Sequence, residues 1–270
     1  MVKLTDSEFL DFVQYMHKNY GIDLSKKRIL IEGRLSNLIE KKGMNSFGQY
    51  MDSIKRNNKD EITMLINKLT TNYTYFYREE NHFKYLKEVV LPYEEKNNKT
   101  KVLNIWSAGC SSGEEPYTLA MVIDDFFKFN GSQWKIQILA TDISENVLGK
   151  ARDGIYQEDS LKNLPDSYKK RYFEKTSDGK YRVVQDIRKY ITFNVFNLMD
   201  PIAVKNKYDL ILCRNVMIYF NADTKMNIVN KFYEASKPGG YLMIGHAETI
   251  QRNNSKYLYL NPAIYKKEIV

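Results

Sequence analysis

The chain has 270 residues and a formal net charge of +8, with 43% hydrophobic and 27% charged residues, which excludes disordered and fibrous classes and leaves room for two domains. No apolar run approaches the roughly 18 residues of a membrane span, and no signal-peptide core follows Met-Val-Lys-Leu-Thr-Asp, so a cytoplasmic protein is expected. Cys110 and Cys213 stand far apart without Cys/His spacing, which argues against a disulfide framework and a zinc site, while the basic balance favours an acidic partner without choosing between nucleic acid, anionic membrane and acidic protein.

From Thr5 to about Thr70 every periodic segment has helical spacing. Thr5 and Glu8 form a capping-box pattern, and Phe9, Phe12, Val13 and Met16 follow on one helical face that ends near Gly21. A second helix is predicted with Ser25 as cap, a buried stripe of Ile31, Leu35 and Leu38, and Gly43 as stop. Its polar side carries Lys27, Arg34 and Lys41 at seven-residue intervals, with Arg28 beside them; a solvated face is the usual meaning of such a stripe. Two further helices, Phe47 to Ile54 and Glu61 to Leu69, complete a small bundle. After Thr71 to Arg78 another helix covers Phe83 to Val90, and Pro92 with the polar run to Lys101 marks a boundary, giving an N-terminal domain over 1–95 and a second over 96–270.

Beyond Lys101, strands alternate with helices: strand Val102 to Trp106, helix Glu115 to Phe129, strand Ile136 to Thr141, helix Glu145 to Ala151, strands Ile191 to Phe196 and Tyr208 to Cys213, helix Asp223 to Ser236, and strand Tyr241 to Gly245 after the turn Lys237 to Gly240. That order predicts an α/β fold with a mostly parallel, doubly wound sheet whose ligand sits at the carboxyl ends of the strands. Within it, at about 171–190, Ser177-Asp-Gly-Lys180 separates two strand-like runs and predicts an inserted hairpin closed by a tight two-residue Asp-Gly turn.

Three loops carry the chemistry. Trp106-Ser-Ala-Gly-Cys-Ser-Ser-Gly113 joins the first strand to a helix that opens with Glu114 and Glu115. Small residues there let a ligand approach the backbone, and two carboxylates at a helix start suit an ammonium group better than a pyrophosphate, although they also complement the helix dipole. Asp142 ends the second strand, where a carboxylate can accept ribose hydroxyls or cap the next helix. Arg214 and Asn215 interrupt an apolar run at the end of a later strand, where they need partners from the protein or from a ligand.

With Thr71 to Arg78, Ala151 to Tyr156 and Cys213-Arg-Asn-Val-Met-Ile-Tyr-Phe220 added, these strings resemble the CheR-type chemotaxis receptor (protein-glutamate) O-methyltransferases over almost the whole chain. The resemblance implies a Rossmann-like class I methyltransferase sheet with an N-terminal helical bundle and an inserted small antiparallel β-subdomain. It implies S-adenosylmethionine as cofactor, S-adenosylhomocysteine as product and, as substrate, glutamate side chains on the cytoplasmic methylation helices of chemoreceptors. By position, Asn72, Thr74 and Arg78 would reach the cofactor from the domain junction, Glu115 (or its neighbour Glu114) would hold its amino group, Asp142 its ribose, and Asn197, Leu198, Arg214 and Asn215 its remaining edges. Arg78 and Tyr219 would lie nearest the transferred methyl, and Lys27, Arg28 and Arg34 would dock the receptor.

A glutamate acceptor, with an ordinary pKa of about 4.3, is ionised at neutral pH and needs no general base. His17, His82 and His246 are therefore read as structural, and no metal is expected. Some family members hold a receptor C-terminal pentapeptide on a longer, glycine-richer hairpin, so the short connection here predicts no such tether. Neither nucleic acid nor direct membrane insertion is expected. The rival readings are a nucleic-acid methyltransferase, favoured by charge, and a cofactor-binding regulatory module without catalysis.

Overall fold

A computed structural model describes residues 2–56, 59–70, 73–129, 131, 133–251 and 255–269, without the side chains of Lys59 and Phe129. The first helices are α1 (Asp6–Tyr20), α2 (Arg28–Lys41), α3 (Phe47–Lys55) and α4 (Lys59–Leu69). The reciprocal Thr5–Glu8 capping box starts α1, and Gly21 in the left-handed region ends it. Ser25 does not cap α2; its amide and hydroxyl both bond the Asp23 carboxylate, so an Asx turn precedes the helix and Lys27 stands at its start without a side-chain cap.

The run Asn81 to Asn97 is helical throughout, as α5 (Asn81–Tyr85), a π-helical turn (Leu86–Val90) and α6 (Leu91–Asn97). It packs on the sheet, through Phe83, Leu86, Val90 and Leu91, rather than on the bundle with which the sequence reading grouped it. Periodicity reports that a helix has a buried face but not what covers it.

The α/β region contains β1 (Val102–Ala108), α7 (Glu114–Phe129), β2 (Lys135–Asp142), α8 (Glu145–Asp153), β3 (Ile155–Tyr156), α9 (Asp166–Tyr172), β4 (Phe173–Lys175), β5 (Tyr181–Val183), α10 (Gln185–Arg188), β6 (Ile191–Val195), β7 (Tyr208–Cys213), α11 (Ala222–Ala235), β8 (Ser236–Ile244), β9 (Leu258–Asn261) and β10 (Ile264–Lys266). Seven strands form one sheet in the order β6-β2-β1-β7-β8-β10-β9, parallel except for β10, which runs antiparallel to β8 and β9. Alternate residues serve opposite faces. Trp106, Ile211, Cys213, Leu242 and Ile244 join the core of α11 and the N-terminal bundle, whereas Ile105, Ile138, Leu210, Leu212 and Met243 join that of α7 and the Asn81 to Asn97 helices. The expected turn Lys237 to Gly240 is instead absorbed into a bulged first half of β8, with Gly239 at φ +79°.

A second sheet has the order β3-β5-β4. Its hairpin is wider than the expected two-residue turn. The Thr176 and Lys180 backbones face each other across Ser177, Asp178 and Gly179, with Thr176 N–H donating to Lys180 O at 2.8 Å and Gly179 at φ +81°, a three-residue loop with a bulge. The subdomain is anchored to α7, where Asp124 accepts from the hydroxyls of Tyr172 (3.1 Å) and Tyr190 (2.9 Å). No helix among the described residues is long and apolar enough to cross a membrane.

Candidate active site

At the carboxyl ends of the parallel strands, between sheet and bundle, lies a cavity of about 510 Å³. Thr74, Arg78, Glu115, Asp142, Asn197, Leu198, Arg214, Asn215 and Tyr219 all line it, brought together from segments up to 145 positions apart (219 minus 74). Asn72 lies outside the described residues.

The loop after β1 is held against two neighbours. Gly109 sits at φ +86°, where a Cβ would come within 2.3 Å of Val216 Cγ2, so this loop packs directly on the loop after β7. Ser111 N–H donates to Asp142 Oδ2 at 2.8 Å, tying it to the end of β2. Asp142 also accepts from Ser144 N–H at 3.0 Å, and Ser144 caps α8. Burial pushes the Asp142 carboxyl up, against the opposing pull of these amides.

The two glutamates at the start of α7 part company. Glu114 points into the protein, accepts from Ser112 Oγ at 2.7 Å, and is pushed up by burial. Glu115 faces the cavity; it accepts from Ser107 Oγ at 2.6 Å and pairs with Arg214 at 2.9 Å. Arg214 is buried, and its other terminal nitrogen reaches Glu79 at 3.2 Å and the carbonyl of Arg78. Burial alone would raise the Glu79 carboxyl, but Arg214, the Asn215 amide and the His246 N–H together hold it below its ordinary value.

Tyr77 and Glu79 both adopt positive φ, 64° and 56°, in the turn that directs Arg78, whose Nη1 donates to Tyr73 O at 2.6 Å. Asn215 is likewise left-handed at φ 60°. It is held by Glu248, a buried carboxylate that accepts from the amides of Asn215 (3.0 Å), Gly245 (2.6 Å) and Ile218 (3.1 Å). Across the cavity, Lys231 Nζ donates to the carbonyls of Leu198 (3.2 Å), Met199 (2.8 Å) and Asp200 (3.1 Å), and Asn197 Nδ2 donates to Asn19 O at 2.8 Å. Glu79, Lys231 and Glu248 carry no local sequence pattern, because each holds a segment far from its own; Ser107 lies inside the Trp106 to Gly113 string, but spacing alone does not show that its hydroxyl reaches Glu115.

Lys27, Arg28 and Arg34, expected to dock the receptor, do not themselves line the cavity. Arg28 bonds the Asp6 carboxylate and the Leu4 carbonyl and covers the Phe9 ring, while Arg34 donates to Lys68 O at 2.9 Å. Both guanidinium groups thus link parts of the bundle, Arg28 half-buried and Arg34 exposed, and Lys27 and Lys41 are exposed as well.

A mostly parallel sheet with this strand order, a small-residue loop entering α7, and carboxylates at the end of β2 and the start of α7 make a nucleotide-cofactor site of the doubly wound class, and the family match identifies it as that of an S-adenosylmethionine-dependent methyltransferase. The family profile described as CheR methyltransferase, SAM binding domain, matches residues 72–265, and that described as CheR methyltransferase, all-alpha domain, matches 7–70. The chain is 44% identical to the chemotaxis protein methyltransferase of Borreliella burgdorferi, an alignment covering 98% of this chain and 96% of that protein. It is 38% identical to chemotaxis protein methyltransferase 1 of Pseudomonas aeruginosa (93% of each chain) and 34% identical to the chemotaxis protein methyltransferase of Escherichia coli (97% of this chain, 91% of that one). The chain belongs to the CheR methyltransferase family, and S-adenosylmethionine is its cofactor.

The Glu248 contacts predict that Glu248→Ala, which orphans three backbone donors, lowers stability by about 3 kcal/mol in urea unfolding. A variant as stable as the parent would show that the 215–218 loop is held by other contacts.

Proposed function

We propose that this enzyme methyl-esterifies glutamate side chains on the cytoplasmic methylation helices of chemoreceptors. The observation that carries this reading is the make-up of the cavity wall. Among the described residues it contains arginine, tyrosine and carboxylates but no histidine and no lysine. Such a wall suits an acceptor that is already anionic, since its carboxylates, Glu115 and Asp142, are assigned to the cofactor and a hydroxyl acceptor would need a further base to take its proton. The relatives' names, chemotaxis protein methyltransferase, support the same acceptor class.

The residues present fit the cofactor. Glu115 would take its ammonium group, Asp142 its ribose, and Thr74, Asn197, Leu198, Arg214 and Asn215 its remaining edges, with Asn72 assigned to the same group by position. The cofactor would supply an electrophilic methyl on its sulfonium, and a carboxylate oxygen of the acceptor would form the ester bond to that carbon as S-adenosylhomocysteine leaves with the carbon–sulfur electron pair. Arg78 and Tyr219 would orient that carboxylate, and alignment of this kind contributes several kcal/mol. Too tight a pair with Arg78 would hold the nucleophile back, and its bond to the Tyr73 carbonyl limits that.

Docking is assigned to the basic face of α2, where Lys27, Arg34 and Lys41 are exposed and Arg28 is half-buried beside them; the two lysines are the charges without the bundle contacts that Arg28 and Arg34 make. No pentapeptide tether is assigned. The β-subdomain has a three-residue hairpin loop, and β5, with Tyr181 and Val183, is its central strand, paired on both sides, which leaves only the short β3 and β4 as edges.

Incubation with methyl-labelled cofactor and receptor membranes should place label in base-labile ester; label in RNA, or none transferred to either, would overturn the reading. Asp142→Ala should weaken cofactor binding by about 2 to 3 kcal/mol in calorimetry while the protein stays folded; unchanged affinity would remove Asp142 from the site. Lys27→Glu with Lys41→Glu should lower receptor methylation roughly fivefold at low salt with cofactor affinity intact; an unchanged rate would sink the docking assignment. A receptor C-terminal pentapeptide should show no saturable binding at micromolar concentration, and saturation there would restore the tether.

A further inference from the structure

Across the Arg214 guanidinium from Glu115, Glu79 meets two imidazoles from distant segments. Donor atoms of Glu79, His82 and His246 all lie within 4.8 Å of one another. His82 Nδ1 stands 3.5 Å from Glu79 Oε2, and the two imidazole rings are 4.7 Å apart between centroids. His82 is only 1% exposed, yet neither of its ring nitrogens has a hydrogen-bond partner among the described residues. Buried polar groups are nearly always satisfied, so an imidazole of this kind signals a missing partner. A second pocket, of about 270 Å³ and lined by His82, His246, Tyr85 and Asn261 among others, opens onto the same two rings.

We propose that Glu79, His82 and His246 form a binding site for a divalent transition metal ion of the zinc or cobalt class. Two imidazoles and a carboxylate suit these ions, and bonds of roughly 2.0 to 2.2 Å in a tetrahedron set ligand atoms about 3.3 to 3.6 Å apart. The His82–Glu79 separation of 3.5 Å already meets that spacing. His246 is exposed, so its ring can rotate to close the third corner, and the pocket supplies room for water at the fourth. Arg214 opposes a dication, which makes the site weaker than a closed structural zinc site.

The consequence follows from Glu79. Its Oε2 accepts from Arg214 at 3.2 Å and from His246 N–H at 3.3 Å. A bound metal competes with Arg214 for that oxygen and loosens the guanidinium that also holds Glu115, so metal and cofactor product antagonise each other reciprocally.

The test titrates zinc into tag-free, full-length protein by calorimetry, with cobalt absorption reporting coordination geometry. One saturable equivalent in the micromolar range is expected, with a tetrahedral cobalt spectrum lacking a thiolate band. His246→Gln changes an exposed ligand without burdening the core, and should weaken binding by about tenfold or more. No saturable binding, a thiolate band, or equal affinity in His246→Gln would overturn the site. Saturating zinc should also lower S-adenosylhomocysteine affinity several-fold in the parent but not in His246→Gln; unchanged product affinity in zinc-loaded parent would overturn the competition at Glu79.

Discussion

The site depends on one buried guanidinium. Burying a guanidinium requires anions and carbonyls on its N–H groups, and in Arg214 both terminal nitrogens have them while Nε has no partner among the described residues. Glu115 at the start of α7, Glu79 and the Arg78 carbonyl in the domain junction, and the Phe83 ring 5.4 Å away supply that enclosure. Removing one partner of a buried pair generally costs about 3 to 5 kcal/mol, because the other charge remains stranded. Arg214 thereby ties the end of β7, the start of α7 and the junction turn together; the junction segment and the loop after β7 supply much of the cavity wall, and α7 supplies Glu115.

The N-terminal bundle is part of the site. Tyr20, Ile22, Ile66, Asn67 and Thr70 line the cavity, and the end of α1 is joined to the loops after β6 and β7. Asp23 N–H donates to Tyr219 O at 2.8 Å, Ile22 bridges Phe220, and Asn221 Nδ2 meets His17 Nε2 at 2.9 Å. Gly21 lies so close that a Cβ would come within 2.7 Å of Met199 Sδ. The backbone of Tyr219 is thus positioned by the bundle, and movement between the two regions would be felt directly at the proposed catalytic residues.

Surface charge is partly committed to the fold. The α2 stripe looks uniform in sequence, but Arg28 and Arg34 bind groups on neighbouring helices while Lys27 and Lys41 do not share those contacts. Arginine suits such bridging because its planar fork can hold a carboxylate and a carbonyl together, whereas a lysine remains a hydrated point charge. At the β-subdomain both kinds of cation are committed, since Arg171 and Lys87 each pair with a different oxygen of Asp125 on α7.

By itself, the sequence determined the succession of helices and strands, the small-residue loop after β1, and the polar residues at the ends of β2 and β7. These features depend on periodicity and turn chemistry, which neighbours within a few positions set. Even locally it misjudged the Ser25 cap, the hairpin loop and the Lys237 to Gly240 segment, where competing side-chain bonds or sheet pairing prevailed. Only the tertiary structure decided that Glu115 faces the cavity while Glu114 is buried, that Glu79 and Glu248 hold the Arg214–Asn215 turn, and that His82 meets His246 across 164 positions (246 minus 82). Apart from the Ser112 bond to Glu114, these relations are contacts between distant segments, whose partners are chosen by packing of the whole sheet and bundle, for which no local pattern in the chain exists.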